Sequence, residues 1–266
     1  MTQMIRWGVL GCAGIAIKAV IPAIQSSRSG RVTAIASRDP KRAEETAAAF
    51  GIAKAYGSYE TLLADADIDA IYNPLPNHLD VPLTIKALEQ GKPVLCEKPI
   101  ALSAGEAMTL AAAQKAANLP VAEAFIARHH PQWKKAQALV AEGWIGEARV
   151  IQTIFSYYLD DPRNVRNQAN IGGGGTVRRR MLRRQHGALP VQCRTLAGDR
   201  ADGTRPRLRY GPPRERTARA SRGPAARLHL LDAAHPFFSG LDDAIANMKA
   251  IDALFRSATT GRWEAP

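Results

Sequence analysis

A regular alternation in its first 125 residues sets narrow limits on how this chain can fold. Short apolar runs recur there, separated by stretches with the length and spacing of helices. Ile5–Leu10 is an apolar run ending at Gly11, which suits a buried parallel strand. A helical stretch follows over residues 14–27, and residues 32–37 are again strand-like. Asp39-Pro40 opens a helix over 41–50, with proline in the first turn, where its missing N–H costs nothing. Residues 69–73, 93–96 and 121–125 read as further strands. Helices over 78–90 and 103–118 lie between them, the second opened by Ser103 and Glu106 in capping-box spacing. Strands separated by helices of about 10–15 residues predict an α/β fold, a doubly wound parallel sheet covered on both faces.

Such a sheet holds a dinucleotide where the first strand turns into the first helix, because backbone amides there can meet a pyrophosphate. Gly11-Cys12-Ala13-Gly14-Ile15-Ala16 occupies that turn, with alanine at two places where the strict pattern has glycine. Its place between a strand and a helix lifts it above an ordinary glycine turn. About 20 residues further on, a site for NAD carries a carboxylate for the ribose 2′-hydroxyl. Ser37 and Arg38 stand there, with Lys41 and Arg42 one helical turn later. These groups hydrogen-bond and neutralise a 2′-phosphate that a carboxylate would repel. The expected cofactor is therefore NADP, with NAD as the alternative because Asp39 is adjacent.

The chain has 266 residues and a formal charge of +12, which at first suggests an anionic partner. Residues 176–230, however, hold 15 of the arginines, no lysine and three acids, 15 − 3 = +12. The remainder balances 21 basic against 21 acidic groups. Three cysteines, Cys12, Cys96 and Cys193, are too few and too scattered for a disulfide framework, and fit a reducing, cytoplasmic setting. The first residues lack the pattern of a secretory signal, and no apolar run reaches the length of a membrane span. The six histidines show no metal-ligand spacing, so no metal is expected.

Glu97-Lys98-Pro99 falls at the C-terminal end of a predicted strand, where ligand crevices of α/β sheets lie. It follows Ile71-Tyr72-Asn73-Pro74-Leu75-Pro76-Asn77-His78 and Gly91-Lys92-Pro93-Val94-Leu95-Cys96. Together with Glu123-Ala124-Phe125 and Arg128-His129-His130-Pro131-Gln132, these segments resemble the glucose–fructose oxidoreductase-like (Gfo/Idh/MocA) family. The likeness is greatest to its branch of xylose and trans-dihydrodiol dehydrogenases, and runs from Met4 to about Gly175 and again from about Leu241. It implies a Rossmann-type N-terminal domain, residues 1–122, and a C-terminal α+β substrate domain, residues 123–266, here incomplete. It also implies hydride transfer between a nicotinamide cofactor and a sugar or diol carbinol. Gly11, Cys12, Ala13, Gly14 and Ile15 would line the pyrophosphate; Ser37, Arg38, Lys41 and Arg42 would surround the adenosine phosphate. Leu75, Pro76 and Asn77 would follow the nicotinamide ribose, with Glu97 near it. Lys98 would sit beside the nicotinamide and the reacting carbinol, in a turn whose Lys98-Pro99 peptide is expected to be cis. A proton must leave the carbinol oxygen as hydride leaves its carbon, and a partly desolvated lysine suits that task. The family often dimerises through the sheet of its substrate domain.

Two departures stand against that pattern. The family's Pro-Asn-x-x-His ends here at Asp80, and a motif near Tyr-Asp-Ile-Gly-Cys-Tyr that assists acid–base chemistry is replaced after Gly172–Gly175 by Thr176-Val177-Arg178-Arg179-Arg180. Three readings compete for the arginine-rich segment. A nucleic-acid arm would have phosphate contacts in plenty, but one tyrosine and no repeat or helical stripe argue against it. A disordered linker fits its five prolines. A reading-frame error accounts for arginine without lysine and for the abrupt start. Shifted by one nucleotide, residues 185–191 can encode Asn-Thr-Ala-Arg-Tyr-Leu-Phe and residues 207–213 Asp-Phe-Gly-Thr-Asp-Arg-Leu, both resembling the family. Beyond it, residues 242–258 predict a helix whose Ile245, Met248, Ile251, Leu254 and Phe255 share one face, packed on the first domain.

Overall fold

The computed structural model describes residues 4–147 and 241–260, with residues 161–162, 164, 167–168 and 171 between them. Six strands form one parallel sheet: β1 (Ile5–Leu10), β2 (Gly30–Ala36), β3 (Lys54–Tyr56), β4 (Ala70–Asn73), β5 (Val94–Glu97) and β6 (Val121–Ala124). Their order, β3-β2-β1-β4-β5-β6, is that of a Rossmann fold, with the switch point between β1 and β4.

The helices are α1 (Ile21–Gln25), α2 (Pro40–Phe50), α3 (Tyr59–Ala64), α4 (Asp80–Glu89), α5 (Ala104–Ala117), α6 (Pro131–Ala141) and α7 (Leu241–Thr260). Strand periodicity divides the core between them. Trp7, Val9, Ile35, Ala70 and Tyr72 face one side with Ile21, Ile24 and Ala47 of α1 and α2. Leu10, Ala34, Ala36 and Ile71 face the other, against residues of α3, α4, α5 and α7. Gly8 of β1 is required by that packing, since a Cβ there would lie 2.7 Å from Leu62 Cδ2 of α3.

Local chemistry sets the helix starts. The Asp39 carboxylate accepts from Arg42 N–H, and the Ser58 and Ser103 hydroxyls accept from Thr61 and Glu106 N–H. Glu106 reaches back to the amide of Leu102 at 2.8 Å, one residue before the cap itself. The helix expected over 14–27 departs from α geometry as a π-helical turn, Ala16–Val20, that leads into α1. Pro22 explains this, because it lacks the N–H for an i→i−4 bond and its ring crowds the carbonyl of Lys18. The helix expected over 78–90 begins instead as a 3₁₀ turn, Asn77–Leu79, and continues as α4. β3, α3 and α6 are additional to the elements expected.

α7 lies on the N-terminal body. Leu241, Ala244, Met248 and Ile251 are buried there, and the Asp252 carboxylate accepts from the Ala104 amide at 2.9 Å, at the start of α5. Ile245 is partly buried, whereas the side chains of Leu254 and Phe255 fall outside the described residues, as does the arginine-rich segment 176–230. No described helix is long and apolar enough to cross a membrane.

Candidate active site

The C-terminal edge of the sheet gathers most of the residues expected to act. Gly11 follows β1 with φ of +88° and donates its N–H to the Ala36 carbonyl at 2.7 Å. A Cβ at Gly11 would meet Leu75 Cδ2 at 2.7 Å, so glycine alone lets the β1 turn and the β4 loop approach. Around Gly14, by contrast, no atom outside its chain neighbours and its own helix backbone lies within 4 Å of where a Cβ would stand, and Ile15 is exposed. The turn thus presents open space at the start of a helix, which a pyrophosphate can fill. Cys12 is buried, its thiol directed to the Arg42 carbonyl at 3.6 Å, while Ala13 is half-buried.

At the end of β2, Ser37 is buried and its hydroxyl accepts from Asp39 N–H at 3.1 Å. The Arg42 guanidinium reaches back to the Cys12 carbonyl at 2.9 Å and joins this edge to the glycine turn. Arg38 lies near the phenol of Tyr59, whose pKa burial raises and Arg38 partly offsets. Asp39 is engaged as the cap of α2. The groups here fit a 2′-phosphate better than a bare ribose. Lys41 stands apart: its side chain is 83% exposed and faces Glu45.

Leu75 and Pro76 form the loop after β4, which ends where Asn77 opens the 3₁₀ turn. Buried Asn73 holds it, donating to the Asp80 carbonyl and Thr84 hydroxyl, each at 3.2 Å, and accepting from Leu75 N–H at 3.3 Å. Nothing in the sequence marked Asn73 for this part except its place at a strand end. His78 Nδ1 lies 3.3 Å from the Ile171 carbonyl.

Glu97 ends β5, and its carboxylate accepts from Tyr72 O–H at 2.9 Å and from Lys98 N–H at 3.3 Å. The Lys98-Pro99 peptide is cis, as expected. Tyr72 is fully buried, and burial together with Glu97 pushes its phenol well up, so it acts as a donor throughout the physiological range. Glu123, at the end of neighbouring β6, is also buried, and desolvation lifts its carboxyl to about 7. In the sequence Glu123 stands out only as part of a motif, and no local signal gives Tyr72 a part. Cross-strand pairing brings both beside the Glu97–Lys98 turn. Among the described residues no group of three or more His, Cys, Asp or Glu is placed to hold a metal ion.

Residues 5–125 match the Gfo/Idh/MocA family, an oxidoreductase family with an NAD-binding Rossmann fold. The chain is 42% identical over 172 residues to a D-xylose 1-dehydrogenase (NADP(+)) of Haloferax volcanii, covering 64% of this chain and 52% of that protein. It is 33% identical over 172 residues to a trans-1,2-dihydrobenzene-1,2-diol dehydrogenase of Mus musculus, covering 64% and 51%. Among solved structures it resembles KijD10, a 3-ketoreductase from Actinomadura kijaniata in complex with NADP and TDP-benzene. That likeness has a TM-score of 0.64 at 36% identity, over 68% of this chain and 56% of that one. The chain spans about half the length of the curated relatives it matches.

Proposed function

We propose that this chain, a Gfo/Idh/MocA oxidoreductase through its residues 5–125, binds NADP(H) along the C-terminal edge of its sheet and serves hydride transfer at a sugar or diol carbinol. The observation that carries this is the convergence on that edge of the open turn at Gly14, the Ser37–Arg38–Arg42 group and the Glu97-Lys98-Pro99 turn. The nicotinamide would supply the hydride acceptor or donor. Gly11, Cys12, Ala13, Gly14 and Ile15 would cradle the pyrophosphate, and Ser37, Arg38 and Arg42 the 2′-phosphate, with Lys41 contributing charge from its exposed position. Leu75, Pro76, Asn77 and Glu97 would orient the nicotinamide end. Lys98 would hold or take the proton of the carbinol oxygen, its backbone fixed by Glu97. NAD is the weaker alternative, since Asp39 is already occupied in capping α2.

Residues 1–122 serve as the dinucleotide-binding domain in this reading, and residues 123–266 as the substrate domain. The partner is a small sugar or diol, with dimerisation through the substrate domain's sheet where that sheet forms. Buried thiols at Cys12 and Cys96 support a reducing, cytoplasmic setting.

One observation favours a second reading. The likeness to curated relatives extends over 172 residues and about half their length, and the arginine-rich segment follows. A frameshift near Gly175, restored near Leu230, would leave a cofactor-binding product with impaired catalysis. Assay of aldoses and diols with NADP⁺ separates the two. Turnover of any member supports the dehydrogenase; cofactor binding without turnover across the panel supports the impaired module. Resequencing the gene across residues 175–230 bears on the second reading alone, and an uninterrupted frame would remove it.

A further inference from the structure

Beside the Glu97-Lys98-Pro99 turn lies a carboxylate to which neither family pattern nor sequence assigns a part. Glu123 keeps only 8% of its surface exposed, and its Oε1 accepts from the Ile100 N–H at 3.1 Å. Ile100 is itself fully buried. Pro99 has no N–H, so Ile100 provides the first amide after Lys98 by which the turn can be anchored. On the other flank, Lys98 N–H donates to Glu97, which is fixed in turn by Tyr72. Residues 97–100 are therefore gripped by carboxylates on both sides.

The charged groups acting on Glu123 are Lys98 and Glu97 from the turn and Arg128 from the segment after β6. Arg128 is paired with Asp243 of α7 and lies over the ring of Phe125. The field of Lys98 and Arg128 favours the carboxylate, yet burial outweighs it, so Glu123 changes charge close to neutral pH.

We propose that Glu123 is a positioning residue for Lys98: its carboxylate anchors the turn through the Ile100 amide, and its negative charge holds the Lys98 ammonium protonated. The inference rests on the reading of Lys98 as the acid–base group. Ionised Glu123 stabilises the ammonium, whereas a neutral group in its place lets the proton leave more readily. Glu123→Gln keeps an acceptor for Ile100 and removes the charge; Glu123→Ala removes both.

The test uses the full chain without cofactor. Trace acylation read by mass spectrometry reports Lys98 against exposed Lys115 as internal reference, and amide hydrogen exchange reports Ile100. In Glu123→Gln, Lys98 labelling at neutral pH rises about three- to tenfold, the change that a fall of about half to one pKa unit produces. Ile100 protection is retained in that variant. In Glu123→Ala, Ile100 exchanges at least about tenfold faster, matching loss of roughly 1.4 kcal/mol of local stability. Unchanged Lys98 labelling in Glu123→Gln overturns the proposal, whether or not Glu123→Ala folds. So does unchanged Ile100 exchange in a folded Glu123→Ala. Failure of the unmodified chain to bind NADPH counts separately, against the oxidoreductase reading.

Discussion

At the N-terminal end of the strands, Arg6 donates to Asp67 at 3.1 Å and to Asp69 at 2.8 Å, while Lys54 donates to Asp65 and Asp67, each at 2.8 Å. Buried Lys92 donates to the carbonyls of Asp65 and Ile68 at 2.9 Å. At the C-terminal end of the same sheet, Glu97 and Glu123 are held by neutral donors, the Tyr72 hydroxyl and the amides of Lys98 and Ile100. The first cluster spends its charge on itself. Lys54 pulls the Asp65 carboxyl down to about 2, and Asp67 and Asp69 are lowered by their own cations, so the three carboxylates stay ionised across the physiological range. The second leaves a carboxyl near 7, where a modest change of surroundings alters its charge. Two charged clusters on one sheet thus divide into one that ties strands together and one whose buried carboxyl changes charge near neutral pH.

Substitutions can break this contrast. Lys98→Met has the largest expected effect, lowering turnover about 10²- to 10⁴-fold while NADPH affinity changes less than about threefold. Equal losses in affinity and turnover would place Lys98 in binding alone.

The next effect is on stability. Glu123 has a folded pKa raised from the ordinary carboxyl value of 4.5 to about 7, so between those values the folded state binds the extra proton. Its contribution is favourable at low pH and is lost as pH rises through that interval, by at most about 3 kcal/mol. Urea unfolding from pH 4.5 to 7 should show a steeper decline for the natural chain than for Glu123→Gln. Identical slopes would contradict the burial of an ionisable group at this edge.

Lys92→Met, at the other end, should cost roughly 2 kcal/mol by leaving two carbonyls without their donor. NADPH binding should be untouched. Lost binding with intact folding would mean that the two ends are not independent.

Much of the fold is legible in sequence because its signals are local. The apolar run of β1, the Asp39-Pro40 start of α2 and the Ser103 start of α5 each lie within a few residues of what they determine. β3 escapes because Lys54-Ala55-Tyr56 is a three-residue edge strand with no apolar run. The π-helical turn before α1 follows from one proline acting inside an otherwise helical pattern. At the site, motifs marked Lys98 and Glu97, but the partners that hold them come from separate strands. Tyr72 is 25 residues from Glu97, and Glu123 is 23 residues from Ile100. Asp252 meets Ala104 across 148 residues, a contact that only the packing of α7 against α5 creates. Such pairings depend on topology, which local spacing does not carry.

Fluorescence titration of the full chain with NADPH and with NADH shows whether this sheet edge takes a dinucleotide and reads its 2′-phosphate. NADPH should bind saturably and about tenfold or more tighter than NADH, the difference one charge-assisted contact to the 2′-phosphate supplies. Arg38→Ala should erase that difference and leave NADH binding in place. Absence of binding by both nucleotides to a folded chain would contradict the assignment of this edge to a dinucleotide.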